Sequence, residues 1–540
     1  MAVRRFLLVS LSINTILEEV TIRQRRKKLE EVTQGNGLSD AYTATLTRLR
    51  AQRGYKSALG LKVLMGVLHS ERPLRAEELC HALRVETRSV DLDPQNVPTL
   101  QTLLSSCLGL VTVEPSSSTV RLAHFTLHEY LSSDPNLFHS PHSTIAEVCL
   151  TYLNFRHVWD IVPTVDPAPP TMPLLEYASC YWGEHTMKGV TEDVKALALR
   201  LLGRFDEHIS ARLMLLHYND KLYGPYFYGI EGATRFTGLH TVAFLGISAI
   251  VSPLLQIRDG MLMQETVRGG TALTWAARNG HEGVVETLLE REDVNPDQAD
   301  AEFGRTPLSW AAGSGHDGVV KTLLEREDVN PNCADIKYSR TPLSLAAERG
   351  HEGVVKTLLE REDINTDQAD AEFGRTPLSW AAGGGHERVV KTLLGRGDVG
   401  PHRADTKYGR TPLLWAAGNG HEGIVKSVLK QEDVDLNAVD SSGRTPLSWA
   451  AGNGHEGVVK VFLERKDITP NLADSSGRTP LLWATSKKDE RVAQLLLEHQ
   501  CFVPNQAHTN ELPPASLRIA INLCFFITAL YFLSYLLTIA

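Results

Sequence analysis

Gly443-Arg-Thr-Pro-Leu-Ser-Trp-Ala-Ala-Gly-Asn-Gly-His455 is the stretch on which the fold turns. Thr445 stands where a side-chain oxygen caps a helix by accepting free backbone N–H groups. Pro446 follows at the first helical position, where a missing N–H costs nothing. Trp449, Ala450 and Ala451 continue the helix, and the alanines are small enough for a neighbouring unit to pack closely. Gly452 or Gly454 ends it, because glycine takes left-handed backbone angles cheaply. A second helix, 455–464, carries Val458, Val459, Phe462 and Leu463 on one apolar face. The polar stretch 467–477 then returns the chain to the next copy of the same pattern.

The copies are regular. Thr-(Pro/Ala)-Leu recurs at Thr271, Thr306, Thr341, Thr376, Thr411, Thr445 and Thr479, in steps of 35, 35, 35, 35, 34 and 34 residues. A weaker copy at Thr237 makes eight units. A period of this length, with this opening and two helices per unit, resembles the ankyrin repeat across 235–505. The resemblance implies an α-solenoid that binds a protein partner along an extended concave surface. One departure stands out: the position after Thr-Pro-Leu, histidine in the ankyrin pattern, holds Ser309, Ser344, Ser379, Ser448, Leu414 or Leu482. Trp275, Trp310, Trp380, Trp415, Trp449 and Trp483 fill the next site. They are expected to pack the core and to replace the lost histidine bridge between units, rather than to form a ligand box.

A second period lies over the first. Asp-Gln-Ala-Asp-Ala-Glu-Phe-Gly-Arg at 297–305 returns at 367–375, and Lys337-Tyr338 returns as Lys407-Tyr408, both 70 residues on. Two-unit blocks therefore alternate acidic-aromatic and basic-aromatic hairpin tips. Aromatics beside charges suit an interface. The expected protein-binding residues are Phe303, Arg305, Lys337, Tyr338, Arg340, Phe373, Arg375, Lys407, Tyr408, Arg410 and Arg444.

The whole composition sets limits. The 540 residues carry a net charge of −9, which argues against a general nucleic-acid binder. Seven scattered cysteines without a C-x-x-C pair read as reduced thiols in a cytosolic setting. His124 and His128 are four apart with Glu129 adjacent, but no third ligand accompanies them, so no metal site is expected. The repeated Gly-His-Glu-Gly reads as a helix start. No nucleophile elbow or Cys-His pairing emerges, and the expectation is no catalysis, no cofactor and no small-molecule substrate.

The first 235 residues are less regular. Arg25-Arg26-Lys27-Lys28 lies in a helical stretch and reads as a solvated face. Tyr42, Leu46 and Leu49 line one side of the next helix. Pro73 to Leu83 reads as a turn and a helix, and the alternating residues around Pro115-Ser-Ser-Ser read as a hairpin. Together they suggest a winged helix. Glu77 and Glu78 repel phosphate, which favours a packing role over DNA readout.

Phe6-Leu-Leu-Val-Ser-Leu-Ser-Ile, Gly37-Leu-Ser-Asp-Ala-Tyr, Arg72-Pro-Leu-Arg-Ala-Glu-Glu-Leu, Val120-Arg-Leu-Ala-His-Phe and Pro173-Leu-Leu-Glu-Tyr-Ala resemble one family. It is the region after the NACHT nucleotide-binding domain in fungal NOD-like receptor proteins that end in ankyrin repeats. The resemblance implies an upstream effector and ATPase, with the repeats sensing a ligand. No Gly-x-x-x-x-Gly-Lys-Ser/Thr occurs in this sequence, so the nucleotide switch does not carry over to it.

The expected organisation is mainly α. A helical segment at 1–35 closes a NACHT-like region. A winged-helix-like domain at 36–140, a helical linker domain at 141–234 and the repeats at 235–505 follow. The apolar run from Phe6 to Ile13 is short, is broken by two serines and lacks a cleavage motif, so it reads as an amphipathic helix rather than a signal peptide. At the other end, 519–540 holds no charged residue and would make a helix of roughly 33 Å, enough to cross a bilayer. A transmembrane helix at 517–540 is the expectation, with the rest facing the cytoplasm; a buried terminal helix is the alternative. The expected function is a membrane-tethered, receptor-like protein-binding scaffold or adaptor. The alternative is the sensing half of a NACHT-type ATPase receptor of immune or incompatibility type.

Overall fold

The computed structural model describes residues 16, 20–34, 38–87, 89–93, 98–161, 169–218, 236–258, 260, 262, 264–266, 269–432, 434–487 and 489–502. It divides into two compact units, 1–302 and 303–540. The transmembrane expectation at 517–540 and nearly all of the first twenty residues lie outside the described residues. Among the described residues, no helix is long and apolar enough to cross a membrane.

Unit 1 begins with helix α1 (Ile22–Gln34), on which Arg25, Arg26 and Lys27 are exposed, as a solvated face requires. Helix α2 (Leu38–Arg50) buries Tyr42, Leu46 and Leu49 on one side. Helices α3 (Lys56–His69), α4 (Ala76–Ala82) and α5 (Leu100–Ser106) follow, then strands β1 (Val111–Glu114) and β2 (Thr119–Leu122). The strands pair antiparallel, with Val111 opposite Leu122 and Glu114 opposite Thr119. A bridge from Arg75 to Thr119 ties the start of α4 to this wing.

Glu78 is 1% exposed and does not face solvent. It grips the Arg72 guanidinium through both oxygens at 2.7 and 2.8 Å and accepts the Arg75 N–H at 2.7 Å. Its carboxylate therefore builds the domain. The helix before the wing, α5, reads Leu-Gln-Thr-Leu-Leu-Ser-Ser and offers no cation to a phosphate. His124 is the N-cap of helix α6 (Phe125–Ser132), accepting the Thr126 N–H, so capping rather than metal binding explains its position.

Helices α7 (Pro141–Leu153), α8 (Arg156–Trp159), α9 (Leu175–Lys188), α10 (Glu192–Leu202) and α11 (Ile209–His217) follow within the stretch read as a linker. Its core holds Tyr152, Phe155, Tyr177, Trp182 and Phe205, all buried. Two helical pairs complete unit 1: Gly238–Leu245 with Ser248–Ile257, and Ala272–Asn279 with Glu282–Leu289.

Among its described residues, unit 2 contains six further pairs. Their first helices are Pro307–Ser314, Pro342–Arg349, Pro377–Gly384, Pro412–Gly418, Pro446–Gly452 and Pro480–Ser486. In each, the preceding threonine caps the helix; Thr445 Oγ1 accepts the Ser448 N–H at 3.1 Å. The second helices bury a repeated apolar pair, such as Val458 and Val459 in Glu456–Leu463.

The histidine bridge between repeats is relocated rather than lost. Histidines before five of the second helices reach back to the previous repeat; His386 Nε2 meets Glu348 O at 2.9 Å and His455 Nε2 meets Gly418 O at 3.0 Å. Gly350 makes room for this reach. Its φ is +76°, and a Cβ there would lie 2.4 Å from the His386 ring. The Gly-His-Glu-Gly signature is thus a glycine seat for the next unit's imidazole, as well as a helix start.

Candidate interaction face of unit 2

The hairpin between successive repeats is organised by one buried aspartate. In the hairpin from Asp440 to Arg444, Asp440 Oδ1 accepts the N–H groups of Ser442 and Arg444 at 2.9 and 3.0 Å. Its Oδ2 accepts the Trp449 indole N–H at 2.8 Å. Asp370, Asp405 and Asp474 hold Trp380, Trp415 and Trp483 in the same way, at 2.8 to 3.0 Å. Burial by itself would raise Asp440 and Asp474, but these hydrogen bonds outweigh it and keep both carboxyls below the usual range.

The tryptophans are not core. Trp310, Trp380, Trp415, Trp449 and Trp483 are each partly exposed on the first-helix face. Only Trp275, in unit 1, is buried among these six, at 5% exposure. The expectation of plain core packing is therefore corrected for unit 2, where the physical partner is the arginine preceding each capping threonine.

Arg375 lies over Trp380 at 4.5 Å and over Trp415 at 3.6 Å. Arg410 lies over Trp415 at 4.6 Å and Trp449 at 3.9 Å. Arg444 lies over Trp449 at 3.6 Å and Trp483 at 3.9 Å. Arg340 over Trp380 and Arg478 over Trp483 end the series, at 4.4 and 4.9 Å. Guanidinium groups and indole rings thus alternate from one repeat to the next, with Arg375, Arg410 and Arg444 each shared by two indoles. Leu345 replaces tryptophan in one repeat, and the series stops there. Beyond it Arg305 lies over one indole, that of Trp310, at 4.9 Å and pairs with Asp335 at 3.2 Å, and Arg340 reaches Glu348 at 2.9 Å.

The expected tip residues fall into two sets. Lys337, Lys407 and Tyr408 are exposed, and Phe303, Tyr338 and Phe373 are half-buried. Lys407 Nζ sits over Phe373 at 4.4 Å and Tyr408 at 5.6 Å, and Lys337 Nζ sits over Phe303 and Tyr338 at 5.3 and 5.1 Å. The Phe373 and Tyr408 rings stack at 6.5 Å. Adjacent tips are joined through the backbone, with Ser441 N donating to Tyr408 O at 2.8 Å. Arg305 and Arg444, at 9% and 8% exposure, are buried behind the tips; Arg340, Arg375 and Arg410 are half-buried in the ladder. Sequence reading missed that these arginines and the tryptophans form one structure, although both recur with the repeat period.

On this face hydroxyls such as that of Thr376 cap the first helices, Thr376 Oγ1 donating to Ser379 Oγ and accepting the Ser379 N–H. Outside it, in unit 1, Glu71, His142 and His185 come together, a grouping that no local motif announced.

Comparison with known proteins agrees with this architecture. The ankyrin-repeat family, as three tandem copies, matches 239–335, 292–370, 343–440 and 423–507. The winged-helix domain of GPI inositol-deacylase matches 47–145. No curated protein matches the chain. Among solved structures, the ankyrin repeat domain of Bcl-3, described as a unique member of the IkappaB protein family, is similar at 26% identity, covering 42% of this chain and 98% of that one, with a TM-score of 0.37. The chain carries ankyrin repeats and a winged-helix domain, an architecture that typically binds proteins and is typically non-catalytic.

Proposed function

We propose that this chain is a protein-binding scaffold that holds an extended partner along the first-helix and hairpin face of unit 2, without covalent chemistry. The observation that carries the reading is the arginine–tryptophan ladder. Five arginines alternate with four tryptophans whose indoles are held by buried aspartates, with indole surface left open to solvent. Preordered aromatic and guanidinium groups lose little freedom on binding, which makes them effective anchors. The tips Phe303, Tyr338, Phe373 and Tyr408, flanked by Lys337 and Lys407, extend the same surface. Replacing the four tip aromatics with alanine should weaken partner capture at least tenfold while the helical circular-dichroism signal stays intact. Unchanged capture would remove the tips from the interface.

A second reading has a specific support. The winged-helix match directly precedes a helical domain and ankyrin repeats, the order expected of the sensing half of a NACHT-type receptor. An in-frame upstream P-loop in the transcript would favour it; a native mass near 59.6 kDa would favour the ATP-independent adaptor. We further propose a cytoplasmic-facing protein tethered by 519–540, on the strength of its uncharged sequence. Removing 517–540 should then release the protein from alkaline-washed membranes, and an intact form that already washes off contradicts the tether.

A further inference from the structure

Three polar side chains converge where the winged-helix domain meets the linker helices of unit 1. Glu71 lies just after α3, His142 in the first turn of α7, and His185 on α9. One donor atom from each falls within 4.8 Å of the other two. His142 Nδ1 and His185 Nδ1 are 2.9 Å apart, and His185 Nδ1 is 3.9 Å from Glu71 Oε1. Donors bound tetrahedrally to zinc at about 2.0–2.1 Å would be separated by roughly 3.3 Å. Both measured separations lie within about 0.6 Å of that value, one short and one long.

The surroundings are those of a prepared ligand set. His185 is fully buried, and its other nitrogen, Nε2, is held by the Tyr177 hydroxyl at 2.9 Å. That same hydroxyl accepts the Glu71 backbone N–H at 3.1 Å, so one buried tyrosine orients the His185 ring and ties it to the backbone at Glu71. Outer hydrogen bonds of this kind fix the tautomer and aim of a ligating imidazole. Ser143 Oγ donates to Gly189 O at 3.0 Å and locks the first turn of α7 against the end of α9. The Lys188 ammonium pairs with the same Glu71 Oε1 at 2.5 Å, so a bound metal would share that carboxylate with it or displace it. His69 packs edge-on against His142, with ring centroids 5.3 Å apart, and shields the cluster.

We propose that Glu71, His142 and His185 form a zinc site, with water as fourth ligand, that staples the winged-helix domain to the linker helices. Two imidazoles and one carboxylate suit a borderline divalent transition ion and disfavour magnesium or calcium, which take all-oxygen sets. Ligands drawn from a loop and two separate helices would make the ion a cross-link between them.

The test uses the full chain, dialysed against zinc and then against metal-free buffer, with metal measured by plasma mass spectrometry. About one zinc per chain is expected. His142→Ala and Glu71→Gln should reduce it to background, and Tyr177→Phe should weaken zinc affinity roughly 10–100-fold. Cobalt added to the native chain gives a readout independent of variant folding, namely the visible absorption of a low-symmetry, four-coordinate ion. Absence of both retained zinc and that absorption would overturn the site. Equal zinc in the native chain and a folded His142→Ala variant would do the same.

Discussion

Single residues in unit 2 carry unequal loads. Ser339 occupies the hairpin position held by glycine in neighbouring repeats and sits at a left-handed φ of +55°. A non-glycine side chain strains this backbone, so Ser339→Gly should stabilise unit 2 by up to about 1 kcal/mol, read as a raised denaturation midpoint. Gly374→Ala should do the reverse, because its φ is +73° and a Cβ would meet Thr406 Oγ1 at 2.2 Å. Trp415 bridges two cations and anchors on Asp405, so Trp415→Ala should cost about 2–4 kcal/mol, whereas Trp415→Phe retains the π face and should cost less. Equal losses for the two variants would mean that the stacking is incidental. The sequence displayed each of these residues but not their pairing. Arg375 stacks on the tryptophan of its own repeat and on that of the next, and only the distance between repeats in space reveals the second contact.

Individual elements are held by caps, bridges and neutral histidines. Each first helix of unit 2 was legible, since threonine and proline act locally, joined in all but Pro480–Ser486 by a closing glycine. The bridging role of His386 was not, because its acceptor is a backbone carbonyl of the preceding repeat. His386→Ala should cost about 1–3 kcal/mol by orphaning that carbonyl. The two units should also differ in acid. Burial lowers His208 and His240 of unit 1 to about 4. An unfolded histidine binds a proton near pH 6.5 and these folded ones do not, so their contribution is lost progressively from about pH 6.5 down to about 4. Asp440 and Asp474 of unit 2 are depressed instead, so their contribution persists above about pH 3.9 and disappears below it. Hydrogen exchange followed on acidification should open the helices around His208 and His240 before the hairpins of Asp440 and Asp474. The opposite order would contradict the role given to the buried histidines.

At the scale of the molecule, the repeats were read from spacing, and the winged helix from a helix, hairpin and turn pattern that the comparisons match at 47–145. The Glu71, His142 and His185 cluster was illegible because its members come from three segments far apart in sequence and no motif links them. Unit 2 presents an ordered display of aromatic and cationic groups. The central claim, that this display is where a protein partner sits, is tested most directly by site-specific photocrosslinking in cells. A photoreactive residue replaces Tyr408, exposed at a hairpin tip, or Arg388, 86% exposed at the start of the second helix Glu387–Leu394. A discrete cross-linked species is expected from position 408 and none from 388. A species from 388 alone, or the same species from both, would contradict it.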